Sequence, residues 1–284
     1  MAQRRSVGLS LILPAGVWLL LFFVVPMLGI ALFSFRPDMN GDLLGLDWSF
    51  TLKQYGIASS HFMGLLWVSI EIAFVVALVT TTLAYPLAYF LAFKAGARAP
   101  LLLTLVILPF WTSYLLRIIA WKIILGSQGL INSTLMSLGL THDPSPLLLY
   151  SRTSVVITLI YVWLPFVALP IYASLQRINH SLLEAAAING APPWQAFLRV
   201  TLPLSLPGVI AGFVMVFIPT VGEYVTPALV GGSQGSMYGN IIQTFFGQGI
   251  NWPLGSALSM IMLAGVLLMS LIMLRVIDLK RFVE

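Results

Sequence analysis

Six long apolar runs dominate the alternation of hydrophobic and polar positions, at about residues 9 to 35, 64 to 93, 101 to 125, 147 to 176, 204 to 228 and 254 to 277. Each reaches the roughly 20 helical residues needed to cross a hydrocarbon core, so the pattern predicts six transmembrane helices. Polar residues gather in three longer connections, 36 to 63, 177 to 203 and 229 to 253, and none has room for a soluble domain. The expected organisation is an all-α polytopic membrane protein with a single domain over residues 1 to 284 and no internal repeat.

Composition narrows the function classes. The chain is 59% hydrophobic and 8% charged, against roughly 25% charged in soluble proteins. With no cysteine and three scattered histidines, neither a disulfide framework nor a metal site is expected. The net charge of +5 does not form a nucleic-acid stripe, because the basic residues are spread over short segments between apolar runs. Six spans place both termini on one side. Of the 14 Lys and Arg, nine (Arg4, Arg5, Lys94, Arg98, Arg177, Arg199, Arg275, Lys280 and Arg281) share that side, which the positive-inside bias makes the cytoplasm. The first run follows Arg4 and Arg5 but extends about 27 residues and lacks a small-x-small cleavage site, so a retained helix is expected rather than a signal peptide.

The inside connection carries the most ordered polar pattern. Ser181-Leu182-Leu183-Glu184 reads as a capping box, with a helix starting at Leu182 and stopping at Gly190. Pro192-Pro193 then suit the first turn of a second helix carrying Trp194, Phe197 and Leu198. The small Ala185, Ala186 and Ala187 would let a partner approach closely, while a helix lying at the headgroup boundary, with Glu184 only a cap, is the plainer alternative.

Taken with its intervals, Glu184-Ala185-Ala186, three residues, Gly190, nine residues, Val200, one residue, Leu202-Pro203 resembles the EAA loop of permease subunits of ABC importers. Val200 replaces the commoner Ile of that loop. The resemblance implies that Glu184, Ala185, Ala186, Gly190, Leu202 and Pro203 couple this chain to an ATPase. Further along, the run from Leu108 to Arg117 (LPFWTSYLLR), the run from Gly126 to Asn132 (GSQGLIN), Pro219 to Pro227, Leu229 to Gly232 and Asn251 to Ala257 are similar to segments of the spermidine/putrescine permease family. This implies a type I importer permease fold in a bacterial inner membrane with both termini cytoplasmic. It also implies a second homologous permease, two copies of an ATP-binding subunit that hold ATP and Mg, and a periplasmic or extracellular solute-binding protein. No cofactor and no catalysis are expected in this chain. The implied cargo is a polyamine, with another small amine or related solute as the alternative.

Residues inside the spans bear on that cargo. Pro219 and Gly222 should break the fifth helix and expose carbonyls beside Glu223, an arrangement that attracts cations. Tyr224, Trp111, Tyr114 and Trp163 would add cation–π contacts. Glu223 is equally read as a cap of the broken helix, or as an ion-pair partner of Arg117 or of the second permease. Glu71 and Arg117 fall at matching depths in the second and third spans, so a structural ion pair is expected, with Glu71 as a transit site the alternative. A hydrolase is disfavoured because His61, His142 and His180 lie in or beside loops, and GxxxxGK[ST] does not occur. A secondary transporter would have no use for the 184 to 203 hairpin.

Overall fold

The computed structural model describes residues 13–37, 49–249 and 251–276. Ten helices organise these residues: α1 (Leu13–Phe33), α2 (Lys53–Phe93), α3 (Ala99–Ile107), α4 (Tyr114–Leu125), α5 (Leu130–Ser137), α6 (Arg152–Gln176), α7 (His180–Ile188), α8 (Pro193–Val221), α9 (Tyr238–Phe246) and α10 (Trp252–Val276). Among the described residues six helices are long and apolar enough to cross a membrane, one of them the composite Tyr114–Ser137. No strand occurs among the described residues.

The described residues fall into two compact units, one drawn from Met1–Gly64 and Ile241–Gly265, the other from Leu65–Asn240 and Val266–Glu284. In the first, aromatic rings do most of the joining. Phe33 lies 6.2 Å from Trp252, and Trp252 lies 5.9 Å from Phe246. The Tyr55 hydroxyl is 2.7 Å from Ser34 Oγ, its ring 5.3 Å from that of Phe35.

The second unit is built on α6 against α8. A Cβ at Gly208 would stand 2.4 Å from the Pro170 carbonyl oxygen and 2.5 Å from Ser174 Cβ, and one at Gly212 would stand 2.9 Å from Val167 Cγ1. Two glycines four apart therefore let the backbones meet, which is how helices associate where lipid is as apolar as leucine. Ser154 Oγ extends the seam beyond α8 by donating to the Val230 carbonyl at 2.6 Å. Where α2 crosses α8, Phe74 meets Phe213 edge-on at 5.7 Å.

Three boundaries differ from the hydropathy reading. The second helix begins at Lys53, not 64, and runs 41 residues through Pro86; hydropathy registers the apolar stretch but not the polar turns before it, which fold onto Phe35. The third apolar run is not one helix. It stops in a 3₁₀ turn at Leu108–Trp111, and Thr112 and Ser113 are extended before α4 starts. Pro109 lacks the amide that would bond to Leu105, and Thr112 Oγ1 instead donates to the Pro109 carbonyl at 2.6 Å. The fourth run starts at Arg152, where Ser151 and Ser154 form a reciprocal cap.

If the glycine seam holds the unit together, Gly208→Leu should lower the apparent melting temperature of the detergent-solubilised chain by about 5 °C or more. Gly56→Ala, whose Cβ would meet nothing within 4 Å, should leave it unchanged or slightly raised.

Candidate functional site

The hairpin around Glu184 forms, with its cap moved. Asn179, not Ser181, is the N-cap of α7: its Oδ1 accepts the Ser181 amide at 3.1 Å, and the helix begins at His180. The chain leaves α6 at Arg177, and Ile178 is buried immediately after it, so Asn179 is already positioned at the turn. At the other end Gly190 adopts φ +77°, its amide bonds to the Ala187 carbonyl at 3.0 Å, and the Ala191 amide reaches the Ala186 carbonyl at 3.0 Å. That pair of bonds is a Schellman closure, which requires the left-handed glycine.

Pro193 opens the next helix, and this helix does not end before the membrane run. It continues as α8 to Val221, 29 residues in all, with a widened π turn at Phe197–Thr201. Pro203 has no amide for the Arg199 carbonyl, and the extra residue in the turn relieves that clash. Leu202 and Pro203 are therefore helical and half-buried, so the polar connection closes at Pro192 rather than 203. Leu202 lines an apolar cavity of about 540 Å³ with Tyr85, Phe197 and Phe213.

The hairpin is seated on α2. Tyr85 meets Phe197 edge-on at 5.7 Å, Tyr89 meets it at 6.0 Å, and Phe93 meets His180 at 5.7 Å. The Tyr85 hydroxyl also lies 2.8 Å from Ser205 Oγ. These three aromatics were not singled out in the sequence, although their spacing of four puts them on one helix face. The outer surface of the hairpin remains uncovered: Ile188 is 87% exposed and Trp194 62%, with Glu184, Ala185 and Gly190 also exposed.

At the far end of α8 the helix stops at Val221, and Gly222 and Glu223 follow. Glu223 Oε1 accepts the amides of Val225 at 2.8 Å and Thr226 at 3.1 Å, so the carboxylate caps the π turn at Pro227–Gly231. Its Oε2 accepts the Tyr114 hydroxyl at 2.9 Å, and that hydroxyl is also 2.9 Å from Oγ1 of the fully buried Thr226. The carbonyls at this break are not open. Gly239 packs so closely that a Cβ would stand 2.6 Å from the Gly222 oxygen and 2.8 Å from that of Glu223, and Asn240 Nδ2 donates to the Tyr224 carbonyl at 2.8 Å.

An aromatic chain runs away from this carboxylate. Arg117 Cζ lies 5.8 Å from the Tyr114 ring and 4.5 Å over Phe110, Phe110 meets Phe166 at 4.4 Å, and Phe166 lies 5.5 Å from Trp163. Tyr114 and Glu223 are thus in direct contact, whereas Trp163 lies at the far end of the chain of rings that begins at Tyr114. Trp111, 79% exposed, and the exposed ring of Tyr224 stand outside it. Glu71 is also elsewhere: it shares a cavity of about 290 Å³ with Arg152. The expected Glu71–Arg117 ion pair does not form, because the break at Thr112–Ser113 starts α4 afresh and turns Arg117 toward α3 and α6. Thr226, Gly239 and Asn240 carried no sequence signal beyond their neighbourhood.

If Asn179 is the cap, Asn179→Ala should destabilise the first turn of α7 by about 1 kcal/mol. Amide exchange at Ser181 and Leu182 should speed up several-fold, whereas Ser181→Ala should leave it unchanged.

The chain is similar to known proteins over most of its length. The family model described as "binding-protein-dependent transport system inner membrane component" matches residues 9–282. The spermidine/putrescine transport system permease protein PotB of Escherichia coli (strain K12) is 37% identical over 85% of this chain and 87% of its own length. PotB of Haemophilus influenzae is 34% identical over 85% and 84%. In fold, the chain superposes with a TM-score of 0.72 and 19% identity on a chain of a bacterial alginate ABC transporter in complex with alginate pentasaccharide-bound periplasmic protein, covering 99% of this chain and 96% of that one.

Proposed function

We propose that this chain, which belongs to the family of binding-protein-dependent transport system inner-membrane components, the permease subunits of ABC importers, conducts a polyamine such as putrescine or spermidine. It is a multi-pass inner-membrane transport protein, and ATP hydrolysis in such importers belongs to a separate subunit. The observation that carries the proposal is that the hairpin and Glu223 lie at the two ends of α8. The similarity to two spermidine/putrescine permeases over 85% of the chain supports the cargo.

In this reading the face formed by the exposed Glu184, Ala185 and Gly190 with the half-buried Ala186, flanked by Ile188 and Trp194, docks on an ATP-binding subunit on the cytoplasmic side. Small alanines allow the approach, and the exposed apolar residues are what such a contact would bury. Leu202 and Pro203 carry the motion into α8. A second homologous permease completes the pathway, two ATP-binding subunits hold ATP and Mg, and a solute-binding protein delivers cargo from outside. Closure of the ATPase pair moves the hairpins together, and because α8 is continuous, the break at Gly222 moves with them.

Glu223 supplies the negative charge for an ammonium, with Tyr114 in contact with it, Trp163 at the far end of the chain of rings, and the exposed rings of Tyr224 and Trp111 as further cation–π surfaces. Glu71, set against Arg152, offers a second carboxylate nearer the mouth. A carboxylate within a span costs about 2.5 to 3.5 kcal/mol unless paired or wetted, and a passing diamine supplies that pair. Weak binding suffices, since the solute must leave again.

In proteoliposomes with the partner subunits, Gly190→Pro and Ala186→Glu should reduce putrescine uptake at least tenfold with membrane insertion intact and less ATP-binding subunit recovered on purification. Glu223→Gln should reduce uptake with normal complex recovery. Normal uptake in the hairpin variants would remove the docking role, and normal uptake in Glu223→Gln would remove the carboxylate from the pathway.

A further inference from the structure

The two oxygens of Glu223 are held in different ways. Oε1 is tied to backbone, accepting the amides of Val225 and Thr226 at 2.8 and 3.1 Å. Among the described residues Oε2 has one donor, the Tyr114 phenol at 2.9 Å. A carboxylate only accepts, so the phenol proton points at Oε2, and the Thr226 hydroxyl, 2.9 Å from the same phenol oxygen, donates to it. A phenol that accepts one hydrogen bond donates a stronger one. Thr226 is fully buried, which fixes that second donor in place.

Both partners sit at helix breaks. Tyr114 is the first residue of α4, after the extended Thr112 and Ser113, and Glu223 follows Gly222 at the end of α8. Side chains at such ends reorient without dismantling a helical hydrogen-bond ladder. Arg117 lies over Phe110 instead, its guanidinium carbon 5.8 Å from the centre of the Tyr114 ring. Oε2 therefore meets the phenol, and not a guanidinium, in this state.

We propose that Tyr114 is a positioning residue that competes with the solute ammonium for Oε2 of Glu223, so that the phenol sets how weakly the pathway holds its cargo. The ammonium takes the place of the phenol on Oε2 while Oε1 stays on the backbone, and the returning phenol drives release. This rests on the reading of Glu223 as a pathway carboxylate. It predicts a gain of affinity on removing a hydroxyl, which a merely structural hydrogen bond would not give.

The test uses the assembled transporter in nanodiscs without the solute-binding protein, measuring binding of radiolabelled putrescine, together with maximal putrescine uptake by the complete system. Tyr114→Phe should bind putrescine about tenfold more tightly, the effect of one competing hydrogen bond to a carboxylate, and turn over several-fold more slowly. Thr226→Val, which weakens the phenol as a donor, should shift both in the same direction by about threefold, and it decides the matter if Tyr114→Phe does not assemble. Unchanged or weaker binding in the assembled variants overturns the proposal. Glu223→Gln separates the two claims: if it abolishes binding while the Tyr114 and Thr226 variants do not tighten it, the competition fails and the pathway reading stands. If Glu223→Gln leaves binding and uptake intact, the pathway reading itself fails and the competition falls with it.

Discussion

Backbone contact between α6 and α8 at Gly208 and Gly212 is the constraint on which the rest of the larger unit depends. At these two positions any side chain would collide with the Pro170 carbonyl or with Val167. Close approach substitutes for the hydrophobic driving force that a lipid environment removes. It also explains how a helix with Pro207 and Pro219 in its interior stays continuous. The close contact with α6 at Gly208 and Gly212 restrains the bends that proline would otherwise introduce.

Continuity of α8 gives the hairpin its mechanical meaning. The Schellman turn at Gly190 and the aromatic seat from Tyr85, Tyr89 and Phe93 fix one end, while the Gly222 break frees the other. At that break the polar groups are satisfied: Glu223 caps the next turn, and Asn240 and Gly239 close over the carbonyls. Oε1 of Glu223 is held by backbone amides and Oε2 by the Tyr114 side chain, the division on which the proposed competition rests. That division suits a permease, which must bind and release within one cycle.

Much of this was legible in the sequence because it depends on short-range chemistry. Hydropathy placed six spans, Gly190 marked the left-handed closure, and Pro193 marked the start of the next helix. The sequence assigns Glu223 and Tyr114 to one pathway, with Tyr114 as a cation–π ring; the fold joins them by a direct hydrogen bond instead. What could not be read depends on contacts between distant segments. Asn179 and Ser181 are both good caps, and burial of Ile178 chose between them. Pro109 alone permits a kinked helix, yet the extended Thr112 and Ser113 break it and redirect Arg117 away from Glu71. Hydropathy also cannot see that α2 extends to Lys53, since its first turns are polar and held by Tyr55.

The claim that α8 carries motion rigidly from the hairpin to Glu223 is tested most directly by an electron-spin distance across it. The chain has no cysteine, so Gln195→Cys and Met215→Cys give clean labels 20 residues apart, about 30 Å along the helix. In the assembled transporter the account predicts the same narrow distance, within about 2 Å, in the nucleotide-free and ATP-trapped states. A shortening or broadening of about 5 Å or more on trapping would show that α8 bends at Phe197–Thr201 or Pro207, and would contradict it.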